Sequence, residues 1–279
     1  MDRLSSLLEL FNPKAQKIEL ISSSQAVLIL PGNTTIALVH QGSAQITAEP
    51  ATSTSIQQGD LIWVTQDSHR RIVPESEDFA LLCCHLDFGP VKLNPVFDML
   101  PALIHIQHDD PERQALNPIL QLLSQESLLN RCGQEVVLDR LAEVLLVHIL
   151  RFLMAHKRIE KGVLAGLSDI RLARAITAIH RQPEQHWSIE SLALEAGMSR
   201  TAFNQRFRDM VGCPPGEYLS QWRMRLACSL LKTSRILVSQ IFDQLGYQSE
   251  TAFFRAFRRQ IGMSPGKYRR LAIEGKSTH

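Results

Sequence analysis

Long apolar runs are missing from this chain. Nowhere in its 279 residues is there an uninterrupted hydrophobic stretch of membrane length, which for a helix means about 20 consecutive apolar residues. No segment reads as a secretory signal either. Cysteine is scarce, five residues at positions 83, 84, 132, 213 and 228 with none before Cys83. That usage does not support a disulfide framework, and the expectation is a cytoplasmic protein in a reducing compartment with no membrane partner. A charge excess is missing as well: 30 Lys and Arg face 28 Asp and Glu, a net +2, which by itself names no partner.

The near-neutral total conceals an uneven distribution. Residues 166–279 hold 17 Lys and Arg against 9 Asp and Glu, a balance of +8, whereas residues 1–165 hold 13 against 19, a balance of −6. A basic half joined to an acidic half is the pattern of a nucleic-acid-binding domain attached to a domain that does not bind nucleic acid.

The basic half nearly repeats itself. Ser188–Tyr218 and Val238–Tyr268 share Gly197 with Gly246, and then, one residue later in the second copy, Ser199, Thr201–Phe203, Phe207, Arg208, Gly212, Pro215, Gly216 and Tyr218 with Ser249, Thr251–Phe253, Phe257, Arg258, Gly262, Pro265, Gly266 and Tyr268. In each copy a short amphipathic segment ends at a glycine able to adopt the left-handed conformation. A serine then caps a second helix. That helix buries Phe203, Phe207 and Val211 in the first copy and Phe253, Phe257 and Ile261 in the second, at a spacing of four residues. Two helices joined through a glycine turn form a helix-turn-helix, whose second helix enters the major groove. The opposite faces carry Arg200, Thr201, Asn204, Gln205 and Arg208, and Glu250, Thr251, Phe254, Arg255 and Arg258, with Arg259 beside them.

At these residues the segment from about Leu167 to Leu271 resembles the DNA-binding domain of the AraC/XylS family of bacterial transcription regulators. The endings Gly212–Tyr218 and Gly262–Tyr268 match the family's pattern, and "YLSQWRMRLACSLLKTS" resembles its linker helix, with Trp222, Leu226, Leu230 and Leu231 as the expected apolar stripe. The resemblance implies two recognition helices about 34 Å apart on one face of the duplex, promoter DNA as partner, contact with RNA polymerase, and activation as the usual outcome. Chemistry suggests the contacts. Asn204 or Gln205 suits adenine and Arg255 suits guanine, while Arg208, Arg258 and Arg259 suit phosphates. Phe254 has two readings, contact with a thymine methyl or packing against the linker helix.

Residues 26–88 read differently. Short apolar runs separated by Gly, Pro, Asp and Ser clusters predict a small β-barrel or sandwich. The stretch Gly59–Arg70, "GDLIWVTQDSHR", resembles the second half of a cupin barrel, and "CCHLDF" followed by Asn94–Ile106 resembles the cupin-type sensor domain of one branch of the same family. Many cupins hold a metal with a His-x-His pair, a Glu and a later His. Here only His69 fits the later position and His40 stands alone, so neither a metal nor another cofactor is expected, and no catalytic residue is assigned. Cys83 and His85 share one strand face, with Cys84, Leu86 and Phe88 on the other. The Cys84 face is the expected core. The candidate sensing residues are therefore Cys83, His85, His69 and His40, with single-thiol oxidation at Cys83 left open.

Pro111–Ser127 and Gln134–His156 are expected to be helices, the second too apolar for solvent and too charged for a membrane. It either packs on the barrel or pairs with its counterpart in a homodimer, the arrangement the resemblance implies. The full expectation is an α+β multidomain protein. Residues 1–156 form a cupin-like β-barrel with following helices, for sensing and dimerisation; 157–166 form a linker; and 167–279 form an all-α domain with two helix-turn-helix units. The function expected is sequence-specific transcription regulation responsive to an unidentified small molecule or stress. The alternative is a metal-dependent cupin oxygenase fused to a DNA anchor. A DNA-repair methyltransferase is set aside because the five cysteines lack the spacing of a zinc-bound cluster. Arg255→Ala is expected to cost about 1–3 kcal/mol and to relax preference at one base position. Uniform weakening across all sequences in a binding-site selection would instead make Arg255 a phosphate contact.

Overall fold

The computed structural model of the chain describes residues 2–22, 27–30, 35–48, 52–65, 70–88, 94–97, 99–233 and 236–274. It divides into two compact units, one of Phe11–Glu160 and one made up of Met1–Leu10 together with Lys161–His279.

The first unit contains nine strands among the described residues: β1 (Lys14–Ser22), β2 (Leu28–Leu30), β3 (Thr35–Gln41), β4 (Ser43–Ala48), β5 (Thr52–Gln57), β6 (Leu61–Val64), β7 (Arg70–Pro74), β8 (Ala80–Asp87) and β9 (Leu103–Ile106). They form two antiparallel sheets, in the orders β1-β8-β3-β6-β9 and β2-β7-β4-β5. Alternate side chains from both sheets meet in one core: Ala37 and Val39, Ala44 and Ile46, Ile62 and Val64, Leu81 and Cys83, closed by Leu30, Ile56, Ile72 and Phe79. This period-two pattern is what a strand with one face inward produces.

A 3-10 turn at Pro111–Ala115 precedes α2 (Asn117–Leu128), and α3 (Gln134–Ala155) follows. The helix α1 (Ser5–Phe11) precedes β1. Helix α3 packs on β1 and β8 and against α2, burying Leu138, Ala142, Leu145, Leu146, Ile149, Leu150, Phe152 and Leu153. Strand β8 is thereby covered on both faces. Cys83 belongs to the barrel core, and Cys84, on the opposite face, is equally buried. The Cys84 face is buried, and Cys83 is core as well, because a helix covers one side of the strand and the second sheet covers the other.

The turn between β5 and β6 is held by one carboxylate. Gly59 has φ +89°, and a Cβ there would lie 2.9 Å from the His108 Cβ. Its neighbour Asp60 is buried and accepts hydrogen bonds from the Gln57 N–H (3.2 Å), the His108 N–H (2.8 Å) and His105 Nε2 (2.8 Å). Arg113 adds donations to the carbonyls of Gly59 and Gln107. These contacts tie the β5–β6 turn to β9 and to the 3-10 turn.

The second unit is helical: α4 (Val163–Ser168), α5 (Ile170–Arg181), α6 (Ile189–Glu195), α7 (Arg200–Val211), α8 (Pro215–Thr233), α9 (Val238–Gln244), α10 (Glu250–Ile261) and α11 (Pro265–Glu274). Asp169 caps α5 by accepting from the N–H groups of Arg171 and Leu172. Arg3 from the N-terminal segment donates to the Leu167 carbonyl.

The Asp60 arrangement has a pH signature. Burial alone would raise the carboxyl's pKa, but the bonds from His105, His108 and Gln57 outweigh it and hold Asp60 below the ordinary Asp value. A depressed folded pKa stabilises above the unfolded value, and that contribution is lost as the pH falls through the folded one. Asp60→Asn should therefore cost about 1–3 kcal/mol at neutral pH. In urea titrations the gap to wild type should narrow below about pH 4. A gap independent of pH would mean that the carboxylate's charge is not what holds the turn.

Candidate nucleic-acid interface

Each helix-turn-helix unit is assembled around an aromatic pair. In the first, Phe203 and Phe207 of α7 lie 5.5 Å apart and Phe207 meets Tyr218 of α8 edge-on at 5.8 Å. The second repeats this with Phe253 and Phe257 at 5.7 Å and Phe257 against Tyr268 at 5.8 Å. Phe203, Phe207, Phe253, Phe257 and Val211 are buried, while Ile261 is half-buried. The serine caps form as expected, Ser199 accepting from the Ala202 N–H and Ser249 from the Ala252 N–H. Gly197 and Gly246 both have positive φ.

With those faces inward, the other faces of α7 and α10 are fixed. Arg200, Thr201, Gln205 and Arg208 are exposed on α7, and Glu250, Thr251, Arg255, Arg258 and Arg259 on α10. Some of these side chains have local partners. Arg200 pairs with Glu190 at 3.0 Å and Gln205 donates to Asp209 at 2.9 Å. Asn204 is half-buried, and its Oδ1 is enclosed without a hydrogen-bond partner; of the two amides on α7, Gln205 is the one fully presented. Phe254 is half-buried, edge-on to Phe253 at 5.9 Å. Arg206, which the sequence reading passed over, does not belong to this face: its guanidinium pairs with the Asp169 carboxylate that caps α5.

The linker helix α8 buries Tyr218, Leu219, Trp222, Met224, Arg225, Ala227, Cys228 and Leu231, with Leu226 and Leu230 only half-buried. The expected stripe thus holds at Trp222 and Leu231 and is wider elsewhere, because α8 packs against α7, α9, α10 and α11. At its N-terminal end, beside the first helix-turn-helix, His180 of α5 stacks on Trp222 at 3.7 Å and shares a 2.6 Å hydrogen bond with the Tyr218 hydroxyl.

Of the candidate sensing residues in the sheet-rich unit, Cys83 and His85 stay together on β8, and His40 lies apart from them. His85 sits across from Thr35, sharing a 3.0 Å hydrogen bond with its hydroxyl, and its Nε2 lies 3.2 Å from Glu19 of β1. Glu19 was not legible beforehand, since nothing in the sequence pairs β1 with β8. Cys83 is buried beside it; burial first, then the Glu19 charge, push its thiol up to about 12, the opposite of what makes a thiol reactive. His40 points elsewhere, to the Ser124 hydroxyl of α2 at 3.0 Å. His69 lies outside the described residues. Among the described residues no group of three or more His, Cys, Asp and Glu is arranged to hold a metal.

A cupin family model matches residues 2–155 and a helix-turn-helix domain model matches residues 192–271. An HTH-type transcriptional regulator of Haemophilus influenzae is 40% identical over 151 residues, 54% of this chain and 50% of that one. The HTH-type transcriptional regulator AlkR of Acinetobacter baylyi is 32% identical over 246 residues, covering 76% of this chain and 80% of AlkR. The RCS-specific HTH-type transcriptional activator RclR of Escherichia coli is 27% identical over 262 residues, 90% of each chain. The chain spans only about half the length of the Haemophilus relative.

His180 provides a test of the helical unit. Burial, helped by the Arg225 charge, lowers its pKa to about 3, so the folded unit keeps the ring neutral. A depressed histidine pKa stabilises above the unfolded value of about 6.5 and loses that stability as the pH falls below it. Cooperative melting of the helical unit should weaken steadily from about pH 6.5 downward, and His180→Phe should flatten that dependence. An unchanged slope in the variant would remove His180 as its source.

Proposed function

Since the chain belongs to the AraC family of transcription regulators that carry a cupin domain, we propose that it binds promoter DNA through α7 and α10 and activates transcription when its cupin side receives a signal. One observation carries this reading: two consecutive helix-turn-helix units whose aromatic faces are turned inward present Arg208 on one helix and Arg255, Arg258 and Arg259 on the other. A basic, donor-rich helix face is what groove entry and phosphate contact need. Gln205 and Arg255 are the proposed base readers, with Thr201 and Thr251 beside them, and Arg200, Arg208, Arg258 and Arg259 the proposed phosphate contacts. Asn204, Glu250 and Phe254 border these faces.

The name of the RclR relative supports activation, and RNA polymerase is the partner that activation requires. The signal is proposed to be a small molecule acting on the cupin side. There, a cavity of about 160 Å³ is lined by Leu103, His105, Ile106, Phe152, Leu153 and Arg158. Homodimerisation through α3 is supported by Val137 and Val144, both exposed on the face that includes half-buried Leu141 and His148. Isolated apolar residues are ordinary on a surface, but an aligned row on one helix suits a partner. No helix among the described residues is long and apolar enough to cross a membrane, and cytoplasmic residence is proposed on the same reading.

Selection from a randomised duplex pool by the full chain should enrich a defined sequence. Enrichment of none, with sequence-blind retention of DNA, would sink the regulator reading. On the selected duplex, Arg258→Ala should weaken binding to all sequences about equally and lower the salt slope by about 1. Val144→Glu should convert a dimer seen by native mass spectrometry into a monomer.

A further inference from the structure

We propose that Arg223 is the positioning residue that locks the two helix-turn-helix units to each other, so that the protein reads two base-pair blocks at one fixed spacing. The inference rests on α7 and α10 both reading DNA.

Arg223 lies on α8 between buried Trp222 and Met224. Its half-buried guanidinium is turned onto backbone carbonyls. Nε donates to the Pro183 carbonyl at 2.6 Å, Nη2 to the Gln185 carbonyl at 3.0 Å and Nη1 to the Gly246 carbonyl at 3.4 Å. Its Cζ also lies over the Tyr247 ring, 5.5 Å from the centroid. Pro183 and Gln185 belong to the loop between α5 and α6, in the first unit; Gly246 and Tyr247 form the turn between α9 and α10, in the second. One rigid fork thus holds backbone from both. A lysine, with a single ammonium, cannot reproduce three divergent bonds and a stacked face.

The two repeated glycines show the same junction from the other side. A Cβ on Gly197 would meet nothing within 4 Å, so that glycine serves only its own turn. A Cβ on Gly246 would lie 2.0 Å from the Glu184 carbonyl oxygen and 2.6 Å from its carbon. The second turn therefore closes backbone to backbone on the loop that Arg223 grips. A further bond, from Gln260 of α10 to the Ser220 hydroxyl of α8 at 2.8 Å, holds α10 to the same helix. Arginines 200, 208, 255, 258 and 259 are exposed, whereas half-buried Arg223 spends its donors on three backbone carbonyls.

The test uses the full chain and four duplexes: the one wild type selects from a randomised pool, two derivatives with one block scrambled, and one with about 5 bp, half a helical turn, inserted between the blocks. Wild type should prefer the two-block duplex over either single block by about 100-fold, the gain that linked binding modules give, and should lose it on insertion. Arg223→Met should keep single-block affinity within about twofold while the two-block preference falls about tenfold and the insertion penalty shrinks. Gly246→Ala should show the same pattern from the opposite side of the junction, and Arg223→Lys should not rescue it. Equal loss on single-block and two-block DNA in both variants would overturn the inference, because it marks a phosphate contact or a failed fold. An intact preference and insertion penalty in Arg223→Met would overturn it as well. A wild type with no two-block preference would overturn the paired-helix reading itself, and is recognised without any variant.

Discussion

The helical unit depends on one constraint: a helix-turn-helix is too small to bury its own aromatic pair. Two or three short helices cannot exclude enough water to offset the entropy of ordering them. Helix α8 resolves this for both units at once. Tyr218 and Trp222 close the first core, against Phe207 and His180, while Cys228 and Leu231 are buried further along the same helix, which also packs on α10 and α11. Because one rigid element completes both cores, the recognition helices cannot be reoriented independently without opening a core. With the aromatic faces turned inward, the arginine-bearing faces are the ones left exposed.

The sheet-rich unit has a different organising fact, the double coverage of β8. With the second sheet on one side and α3 on the other, neither Cys83 nor Cys84 reaches water, and burial raises both thiols to about 12. The polar groups in this region, Glu19, His85 and Thr35, satisfy one another across three neighbouring strands. A half-buried polar cluster of this kind holds strand register, because a one-residue slip would break its cross-strand bonds.

Much of this was legible in the sequence, and the reasons differ by region. The helical repeat could be read because its signals are local: serine caps, positive-φ glycines and aromatic residues at a spacing of four all act within one or two turns. Strands β2, β3, β4, β6, β7 and β8 were legible as elements for the same reason, whereas β1, before the stretch read as strands, and the polar β5 were not. What could not be read was long-range pairing. Nothing in the sequence tells that Glu19 would face His85, or that β8 would be covered twice. The Leu226 and Leu230 positions were overestimated because a single apolar stripe assumes one partner surface, and α8 has several. Arg223 went unnoticed because in a basic domain a charged side chain is expected to face the ligand, and only the three carbonyls around it reveal otherwise.

That last difference bears on how a signal can act. If α8 and Arg223 fix the relation of α7 to α10, then the sequence a molecule recognises is built into the fold and is not what an effector changes. An effector can shift only an equilibrium between states for which its affinities differ. A typical coupling of about 1–3 kcal/mol is small beside the cost of opening an aromatic core, where losing one Phe costs about 3–5 kcal/mol. An effector of the kind proposed would therefore act on whether the helical unit is presented to DNA, alone or as one of a pair, and would leave its reading of the bases intact.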